Sequence, residues 1–450
     1  MMRCASAGLA LLLVTMSGAR AAAPVPLIID TDAGFDVDDV GAVCLGNALQ
    51  DNGETVIIAV GHTNGYVKGI GAMSALMDFY DRPDVPLGSY KGAWAKNPRA
   101  PGAKGTADRY VPDLADHYPA TVKDSSQTPT AVDVYRAALA KAEDHSVAIA
   151  SIGITTNMRD LLRSQPDKYS TLDGTALVAR KVKLIVWMDG LYNFGCAQHD
   201  EDNWLGPDTD CRGSAKAAVE GWPSSVKQIF SGVGGDVMHG DWLEGCAANG
   251  NPCRQAFENW GVAGRGRSSW DPIAVLIAVR GVAGVHCKEV GQGGHQTFPA
   301  DRRDGVEHWV GGSASNQTFV QYSGSGAQGK ISFELNQLLC QPPGGFFAGN
   351  GEWNAAHGAN CYGPRGNSPA HGATDIDSTS PVGVLTLPEC QQRCLDTAGC
   401  TAITVAPKSG GKYDCVSPSS LPRDVDSTMT STLSQVSLIR LSFGTLDLAD

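Results

Sequence analysis

The predicted fold follows mainly from one segment, Leu27-Ile-Ile-Asp30-Thr-Asp32-Ala-Gly34-Phe-Asp36-Val-Asp38-Asp39-Val-Gly-Ala42. Its apolar start predicts a buried strand that ends at Asp30. Gly34 permits a tight turn, and a helix is predicted to begin near Val37. A buried strand that leads directly into a helix is typical of βαβ units and of a parallel sheet.

The same alternation of strands and helices continues to about Leu339. The further strand-like runs are Thr55–Val60, Val147–Gly153, Val182–Met188 and Gln228–Gly232, and the helix-like stretches between them include Val37–Leu49, Gly71–Tyr80, Thr130–Ala142 and Asn157–Ser164. This pattern predicts an α/β domain with a mainly parallel open sheet and helices on both faces. Ligands of such sheets bind beyond the carboxyl ends of the strands, where the aspartates of the quoted stretch fall.

The aspartates themselves predict a metal site. Asp38 and Asp39 fall in the first turn of the predicted helix, where backbone N–H groups favour anions. Helix capping would explain Asp36, but it would not explain Asp30 and Asp32 at the end of an apolar strand. So many carboxylates close together repel one another and need a cation, and a set of oxygen ligands selects a hard ion such as Ca²⁺ or Mg²⁺.

Four further segments follow this motif along the chain: Ser151-Ile-Gly-Ile-Thr-Thr-Asn157, Val186-Trp-Met188-Asp-Gly190, Glu201-Asp-Asn203 and Trp270-Asp271-Pro272-Ile-Ala274. In their order and spacing, residues 26 to 338 resemble the inosine–uridine-type nucleoside hydrolase family. The family's opening motif is Asp-x-Asp-x-Gly-x-Asp-Asp after a strand. Here it is lengthened to Asp-x-Asp-x-Gly-x-Asp-Val-Asp-Asp.

The resemblance implies a role for each matched residue. Asp32 would be the catalytic general base for the attacking water, and Asp30 would support it from behind. The implied Ca²⁺ ligands are Asp32, Asp39, Asp271 and the backbone carbonyl of Ile152. Asp38 and Asn203 would hold the ribose hydroxyls, and Glu201 would reach the 5′-hydroxyl. The full set implied to contact the substrate is Asp38, Asn64, Trp94, Met188, Asn193, Glu201, Asn203 and Trp270.

Trp270 stands where many relatives have a histidine that protonates the leaving base. A tryptophan there resembles the purine-preferring branch, in which ring stacking raises the basicity of the purine, and Trp94 would be the second ring. The implied function is calcium-dependent hydrolysis of ribonucleosides, purine nucleosides preferred, to base and ribose. Two alternatives remain open: hydrolysis of another N-ribosyl compound, and a binding protein that has lost turnover. The intact aspartates argue against the second alternative, whereas the missing histidine and Asp189, where the family has glycine, favour it.

Composition limits the partners. The chain has 450 residues, 42% of them hydrophobic and 18% charged, with a formal net charge of −12. It therefore has enough apolar material for a large core. An acidic surface repels phosphate backbones, so a nucleic-acid polymer is an unsuitable partner, whereas an uncharged nucleoside is not repelled. A homo-oligomer remains open.

The first 23 residues are typical of a signal peptide, with Arg3 followed by an apolar run, Ala7–Met16, and small residues before the cleavage site. The run is too short to span a membrane, so a secreted, extracellular protein is expected. Cysteine usage agrees with export. The close pairs Cys196/Cys211 and Cys246/Cys253 are predicted disulfides, whereas Cys44 and Cys287 are predicted to be buried free thiols.

The chain is expected to contain two folded units. A catalytic domain would span residues 24–339, a Gly/Pro-rich linker residues 340–366, and a disulfide-rich module residues 367–450, with Cys340 and Cys361 counted in the module. Within it, Leu387-Pro-Glu-Cys390-Gln-Gln-Arg-Cys394-Leu-Asp-Thr-Ala-Gly-Cys400-Thr-Ala402 resembles a PAN/apple-type module. The resemblance implies a protein or carbohydrate ligand.

Overall fold

A computed structural model describes residues 23–63, 65–92, 109–189, 209–298, 308–312 and 315–344, together with four strands between residues 384 and 440. The strands before the tail are β1 Val25–Thr31, β2 Thr55–His62, β3 Leu87–Ser89, β4 Val147–Ile152, β5 Val182–Trp187, β6 Lys227–Phe230, β7 Met238–His239, β8 Arg267–Ser268, β9 Cys287–Val290, β10 His295–Thr297, β11 His308–Val310 and β12 Gln317–Tyr322. The helices are α1 Asp38–Asp51, α2 Gly69–Phe79, α3 Val111–His117, α4 Ala131–Lys141, α5 Thr156–Arg163, α6 Gly174–Lys181, α7 Thr209–Gly221, α8 Leu243–Cys246, α9 Pro252–Trp260, α10 Trp270–Arg280 and α11 Ala327–Leu339.

Eight strands form one open sheet in the order β3-β2-β1-β4-β5-β6-β12-β9. The pairs from β3 to β12 are parallel, and β9 runs antiparallel to β12. The sequence order changes direction at β1, which lies between β2 and β4. These pairings confirm the predicted mainly parallel α/β fold, and the central position of β1 places its carboxyl end at a topological switch point.

Helices cover both faces of the sheet, as predicted. Leu45, Leu76 and Leu276 belong to a buried cluster on one face, with α1, α2 and α10. Tyr135 and Leu161 belong to a second cluster on the other face, with α4 and α5. Every residue of β4 is buried, because a central parallel strand is covered on both sides, and this explains its continuous apolar run.

Two disulfides correct the cysteine predictions. Cys44 on α1 is bonded to Cys253 on α9, and Cys246 at the end of α8 is bonded to Cys340, just after α11. The predictions of a free Cys44 and of a Cys246/Cys253 pair were therefore wrong, because the partners come together only through helix packing across 209 and 94 residues. Assigning Cys340 to the tail module was wrong for the same reason. Cys287 is buried and free, as predicted.

The tail contains a four-stranded antiparallel sheet in the order β13-β15-β14-β16, formed by β13 Val384–Leu385, β14 Ala402–Lys408, β15 Lys412–Val416 and β16 Ser437–Arg440. The side chains of the tail cysteines and of Cys196 and Cys211 lie outside the described part of the chain, as does the predicted signal peptide. Within the described residues, no helix combines the length and apolar character needed to cross a membrane.

Candidate active site and metal centre

The candidate site lies at the carboxyl ends of two central strands, beside the first turns of two helices. β1 ends at Thr31, which pairs with Ile152 at the end of β4. Asp38 and Asp39 open α1, and Asp271 lies in the first turn of α10. The free N–H groups of a first helical turn favour negative charge. The fold thus brings acidic residues from distant parts of the sequence to one edge of the sheet.

Three of these carboxylates form a group that could hold a metal ion. One carboxylate oxygen from each of Asp38, Asp39 and Asp271 lies within 4.8 Å of the others. The three residues are 3%, 1% and 2% exposed, and Asp271 Oδ1 has no hydrogen-bond partner. Burial first, and then the charges of neighbouring aspartates, raises the pKa of each carboxyl well above its ordinary value. A cation would offset this repulsion, and three carboxylate oxygens suit a hard ion.

Asp32 lies beside this group rather than in it. The Asp32 backbone N–H donates to Asp39 Oδ1 at 3.1 Å, and the Thr31 hydroxyl donates to the same oxygen. Burial is the largest cause of the raised pKa of Asp39, and the negative charge of Asp32 is the second largest. Of the predicted metal ligands, the structure therefore brings Asp39 and Asp271 together. The third member of the group is Asp38, which was predicted to bind the ribose hydroxyls. The assignment of Asp32 as a ligand and general base stays a prediction.

Asp30 lies behind the site, in a closed hydrogen-bond network. Its Oδ1 accepts bonds from the Tyr135 hydroxyl and, at 2.8 Å, from Asn157 Nδ2, while Oδ2 has no partner. Complete burial raises the pKa of Asp30 to about 7, although both hydrogen bonds lower it. Tyr135 lies on α4 and Asn157 on α5, so Asp30 joins both helices to the end of β1.

The loop between β1 and α1 is held by a tyrosine that the sequence did not reveal. The Gly34 N–H donates to Tyr110 Oη at 2.6 Å, and the Tyr110 hydroxyl donates to the carbonyl of Asp36 at 2.6 Å. Gly34 has φ 119°, a conformation that side-chain-bearing residues rarely adopt. Across the loop, a Cβ on Gly153 would lie 2.6 Å from the Asp32 backbone nitrogen. The loop therefore needs glycine both in its own turn and in the strand end facing it.

An ion pair stands at the rim of the site. Arg267 Nε lies 2.9 Å from both carboxylate oxygens of Asp36, and Nη2 also bonds to Asp36 Oδ2. The Arg267 guanidinium carbon lies 5.0 Å from the centre of the Trp270 ring. The half-buried indole of Trp270 packs against Gly235, where an added Cβ would come within 3.4 Å of Nε1. Trp270 thus lies next to the acidic group, at its more open side.

Two histidines support the site from inside the protein. His239 is completely buried, because the antiparallel pair of β7 and β8 holds its ring against Gly41 of α1. Its Nδ1 donates to the carbonyl of Arg267 at 2.9 Å, and burial lowers its pKa to about 3. His62 Nε2 donates to the carbonyl of Ala33 at 3.0 Å, and burial lowers its pKa to about 4. Both rings are neutral at physiological pH and position the backbone around the aspartates.

The other predicted residues are only partly covered by the structure. Ile152 is fully buried at the end of β4, and the Met188 N–H donates to the carbonyl of Ser151 at 2.9 Å. Their roles as metal ligand and substrate contact stay predictions. The remaining predicted substrate contacts lie outside the described residues: Asn64, Trp94, Asn193, Glu201 and Asn203.

A separate cavity lies near the amino ends of the strands, at the end of the sheet away from the acidic site. Its volume is about 490 Å³, and it is lined by Trp222, Gln228 and Gln317 among others. Gln228 and Gln317 pair near the amino ends of β6 and β12. The cavity is therefore not part of the acidic site.

Comparisons with known proteins concern the fold. No family model matches the chain, and no curated protein matches it. The type III effector protein XopQ, solved in complex with adenosine diphosphate ribose, is 16% identical with a TM-score of 0.50 and covers 71% of this chain and 95% of its own. This similarity shows a shared fold.

Two solved hydrolases are also similar. A purine-preferring ribonucleoside hydrolase from Gardnerella vaginalis is 16% identical, with a TM-score of 0.49 over 70% of this chain and 99% of its own. An inosine-guanosine nucleoside hydrolase is 18% identical, with a TM-score of 0.49 over 70% of this chain and 97% of its own.

Proposed function

We propose that this chain is a secreted, calcium-dependent hydrolase that cleaves the N-glycosidic bond of ribonucleosides, preferring purine nucleosides, to base and ribose. The observation that carries the proposal is the group of buried carboxylates Asp38, Asp39 and Asp271, with Asp32 beside it, at the carboxyl end of β1. These are the residues at which the family motif places its metal and ribose ligands.

The chemistry requires a firm hold on the ribose and a water molecule ready to attack. Breaking the bond between C1′ and the base builds positive charge on the sugar, which nearby carboxylates stabilise. In the proposal Asp38 accepts hydrogen bonds from the ribose hydroxyls, and Asp32 removes a proton from the attacking water. Asp30 stays behind the site, where its bonds to Tyr135 and Asn157 fix the end of β1.

The donor set supports calcium as the ion. Asp39 and Asp271, with Asp32 and the Ile152 carbonyl as the other proposed ligands, offer oxygen atoms alone, which calcium and magnesium prefer over softer metals. A bound ion would act as a Lewis acid that lowers the pKa of water. The unpartnered Oδ1 of Asp271 is an independent sign that this buried group is built to hold a cation.

Secretion and the role of the tail are also proposals. The disulfides Cys44–Cys253 and Cys246–Cys340 support an oxidising compartment, in agreement with the signal-peptide pattern of the first residues. Residues 24–344 would carry the catalysis, because Cys340 and Gly344 are both bonded to the catalytic part. The PAN/apple-like tail would bind a protein or carbohydrate and tether the enzyme.

A second candidate function is hydrolysis of another N-ribosyl compound. XopQ, which shares the fold, was solved with adenosine diphosphate ribose. The charge of the site argues against a phosphorylated substrate, because its phosphate would face the buried carboxylates of Asp38, Asp39 and Asp271. An uncharged nucleoside is therefore favoured.

The test is a product assay on a panel of purine and pyrimidine nucleosides, a nucleotide and adenosine diphosphate ribose, with calcium and with a chelator. We expect free base and ribose from the purine nucleosides in calcium, and loss of activity in the chelator. Release of ribose from none of the compounds by folded, calcium-loaded protein would contradict the proposed function. Faster turnover of the phosphorylated compounds would favour the second candidate.

A further inference from the structure

Among the residues that the structure describes, none has yet been assigned to one chemical requirement of the proposed reaction, the stabilisation of the departing base. When the bond between C1′ and the base breaks, the electron pair stays on the base nitrogen, and this negative charge must be stabilised. Trp270 occupies the place where a histidine acid would be expected, and a tryptophan ring donates no proton to the base. His62 and His239 are completely or nearly completely buried and directed at backbone carbonyls. Neither ring can serve as the acid.

Among the described residues, Arg267 is a charged hydrogen-bond donor that lies beside Trp270. Its guanidinium stands over the ring of Trp270, at 5.0 Å from the ring centre, and its side chain is 33% exposed. The Nε and Nη2 groups of Arg267 donate hydrogen bonds to the carboxylate of Asp36. The Nη1 amino group of Arg267 has no hydrogen-bond partner among the described residues. The Arg267 carbonyl is fixed by His239. Both ends of the residue are therefore anchored, and one amino group remains available.

We propose that Arg267 stabilises the departing base, with its Nη1 group donating a hydrogen bond to an acceptor atom of the base as negative charge develops there. This inference rests on the proposed hydrolase function and names a further catalytic residue for it. Asp36, in the lengthened part of the family motif, positions the guanidinium, and Trp270 orients the base beside it.

The proton balance is simple. Water bonds to C1′ as the base leaves, and Asp32 takes one proton of that water. Arg267 keeps its protons, since arginine stays protonated in proteins and the neighbouring Asp36 raises its pKa further. The base anion then takes a proton from the solvent, and Asp32 returns its proton to the solvent, which restores the enzyme. The guanidinium thus supplies charge and a hydrogen bond at the moment of bond breaking, without acting as an acid.

The test compares a poor and a good leaving group. Inosine releases a basic purine anion, whereas 4-nitrophenyl riboside releases a stable phenolate. We expect Arg267→Ala to lower kcat on inosine by roughly 10²-fold, the scale for removing one preorganised donor, and to lower it much less on the nitrophenyl riboside. Millimolar guanidinium should restore part of the inosine activity of Arg267→Ala and leave the wild type unaffected.

Arg280→Ala is the matched control. Arg280 pairs with Glu54 and Glu334 outside the site, so its loss should leave the ratio of the two activities at the wild-type value. If Arg267→Ala does not fold, the same ratio is measured for Arg267→Gln, which keeps an N–H donor on a shorter stem but loses the charge. Equal losses on both substrates, without rescue by guanidinium, would overturn the role of Arg267. A wild type inactive on both would instead contradict the proposed function.

Discussion

At the scale of single residues, the candidate site is defined by carboxylates that the fold buries together. Asp38, Asp39 and Asp271 repel one another unless protons or a cation offset their charge, and burial removes the water that would otherwise screen them. The five acidic residues of the opening motif predicted a metal site at the end of β1, whereas Asp271 was assigned to that site only through the family resemblance. The support of the group by Tyr110, which lies far along the chain, was not predictable, because no local pattern encodes a tertiary hydrogen bond.

Trp270 gives a prediction about base preference. Stacking on a purine favours the transition state, so Trp270→Ala should lower kcat on purine nucleosides more than it raises KM. The loss should be smallest on a nitrophenyl riboside. Trp242, which is half-buried and packs against Phe333 on α11, provides the control substitution Trp242→Ala. Equal losses on inosine and on the nitrophenyl riboside for Trp270→Ala would mean that the ring only supports the fold.

Asp30 gives a prediction about stability and pH. Its pKa of about 7 in the folded protein lies above the ordinary value of 3.8, so the folded state holds the proton more tightly than the unfolded state. This contribution to stability is complete below about pH 4 and is lost as the pH rises to 7. The slope is about 1.4 kcal/mol of unfolding free energy per pH unit.

Asp30→Asn cannot titrate, so it should flatten the decline in stability between pH 4 and 7. Denaturant unfolding of both proteins in a chelator measures the two slopes. Asp160→Asn, at a carboxylate paired with Arg159 in α5, is the control. An unchanged slope in Asp30→Asn would show that Asp30 is ionised in the folded protein throughout this range.

At the scale of elements, local sequence patterns were sufficient to predict the strands and helices. They were not sufficient to predict which side chains of different elements contact one another. The predicted runs Leu27–Asp30 and Val147–Gly153 correspond to β1 and β4. Short continuous apolar runs between turn signals are typical of buried parallel strands. The Arg267–Asp36 ion pair, in contrast, joins residues 231 positions apart. The same holds for His239, whose burial depends on how β7 and β8 pack against α1.

The disulfide Cys44–Cys253 ties α1, which carries Asp38 and Asp39, to α9. Removing both cysteines by Cys44→Ala and Cys253→Ala should lower the unfolding free energy by about 2–5 kcal/mol and weaken calcium binding, because α1 loses a constraint. Calcium titration and denaturant unfolding measure both effects. Cys287→Ala, at a buried free thiol, should leave calcium affinity unchanged. Normal stability and affinity in the double variant would show that helix packing alone holds α1.

At the scale of the whole molecule, the proposed division into a catalytic domain and a tail can be tested by truncation. Cys340 is bonded to Cys246 and the Gly344 N–H donates to Asp51 at 2.9 Å, so the catalytic part should extend to residue 344. Protein ending at Gly344 should keep hydrolase activity, whereas protein ending at Leu339 should lose stability with the disulfide. Folded but inactive protein ending at Gly344 would make the tail part of the site.

The central claim is that Asp32 is the general base beside a calcium site. Asn at this position keeps an oxygen for the metal but cannot take a proton, so Asp32→Asn should keep the fold and bind some calcium. Its turnover should fall by roughly 10²-fold or more, the scale of general-base removal. Asp271→Ala should instead weaken calcium binding itself, and excess calcium should restore part of its activity.

The most direct measurement is kcat on a purine nucleoside, together with calcium titration, for wild type, Asp32→Asn and Asp271→Ala. We expect Asp32→Asn to bind calcium without turnover. We expect Asp271→Ala to bind calcium more weakly and to regain part of its activity in excess calcium. Near-normal turnover by Asp32→Asn would contradict the central claim.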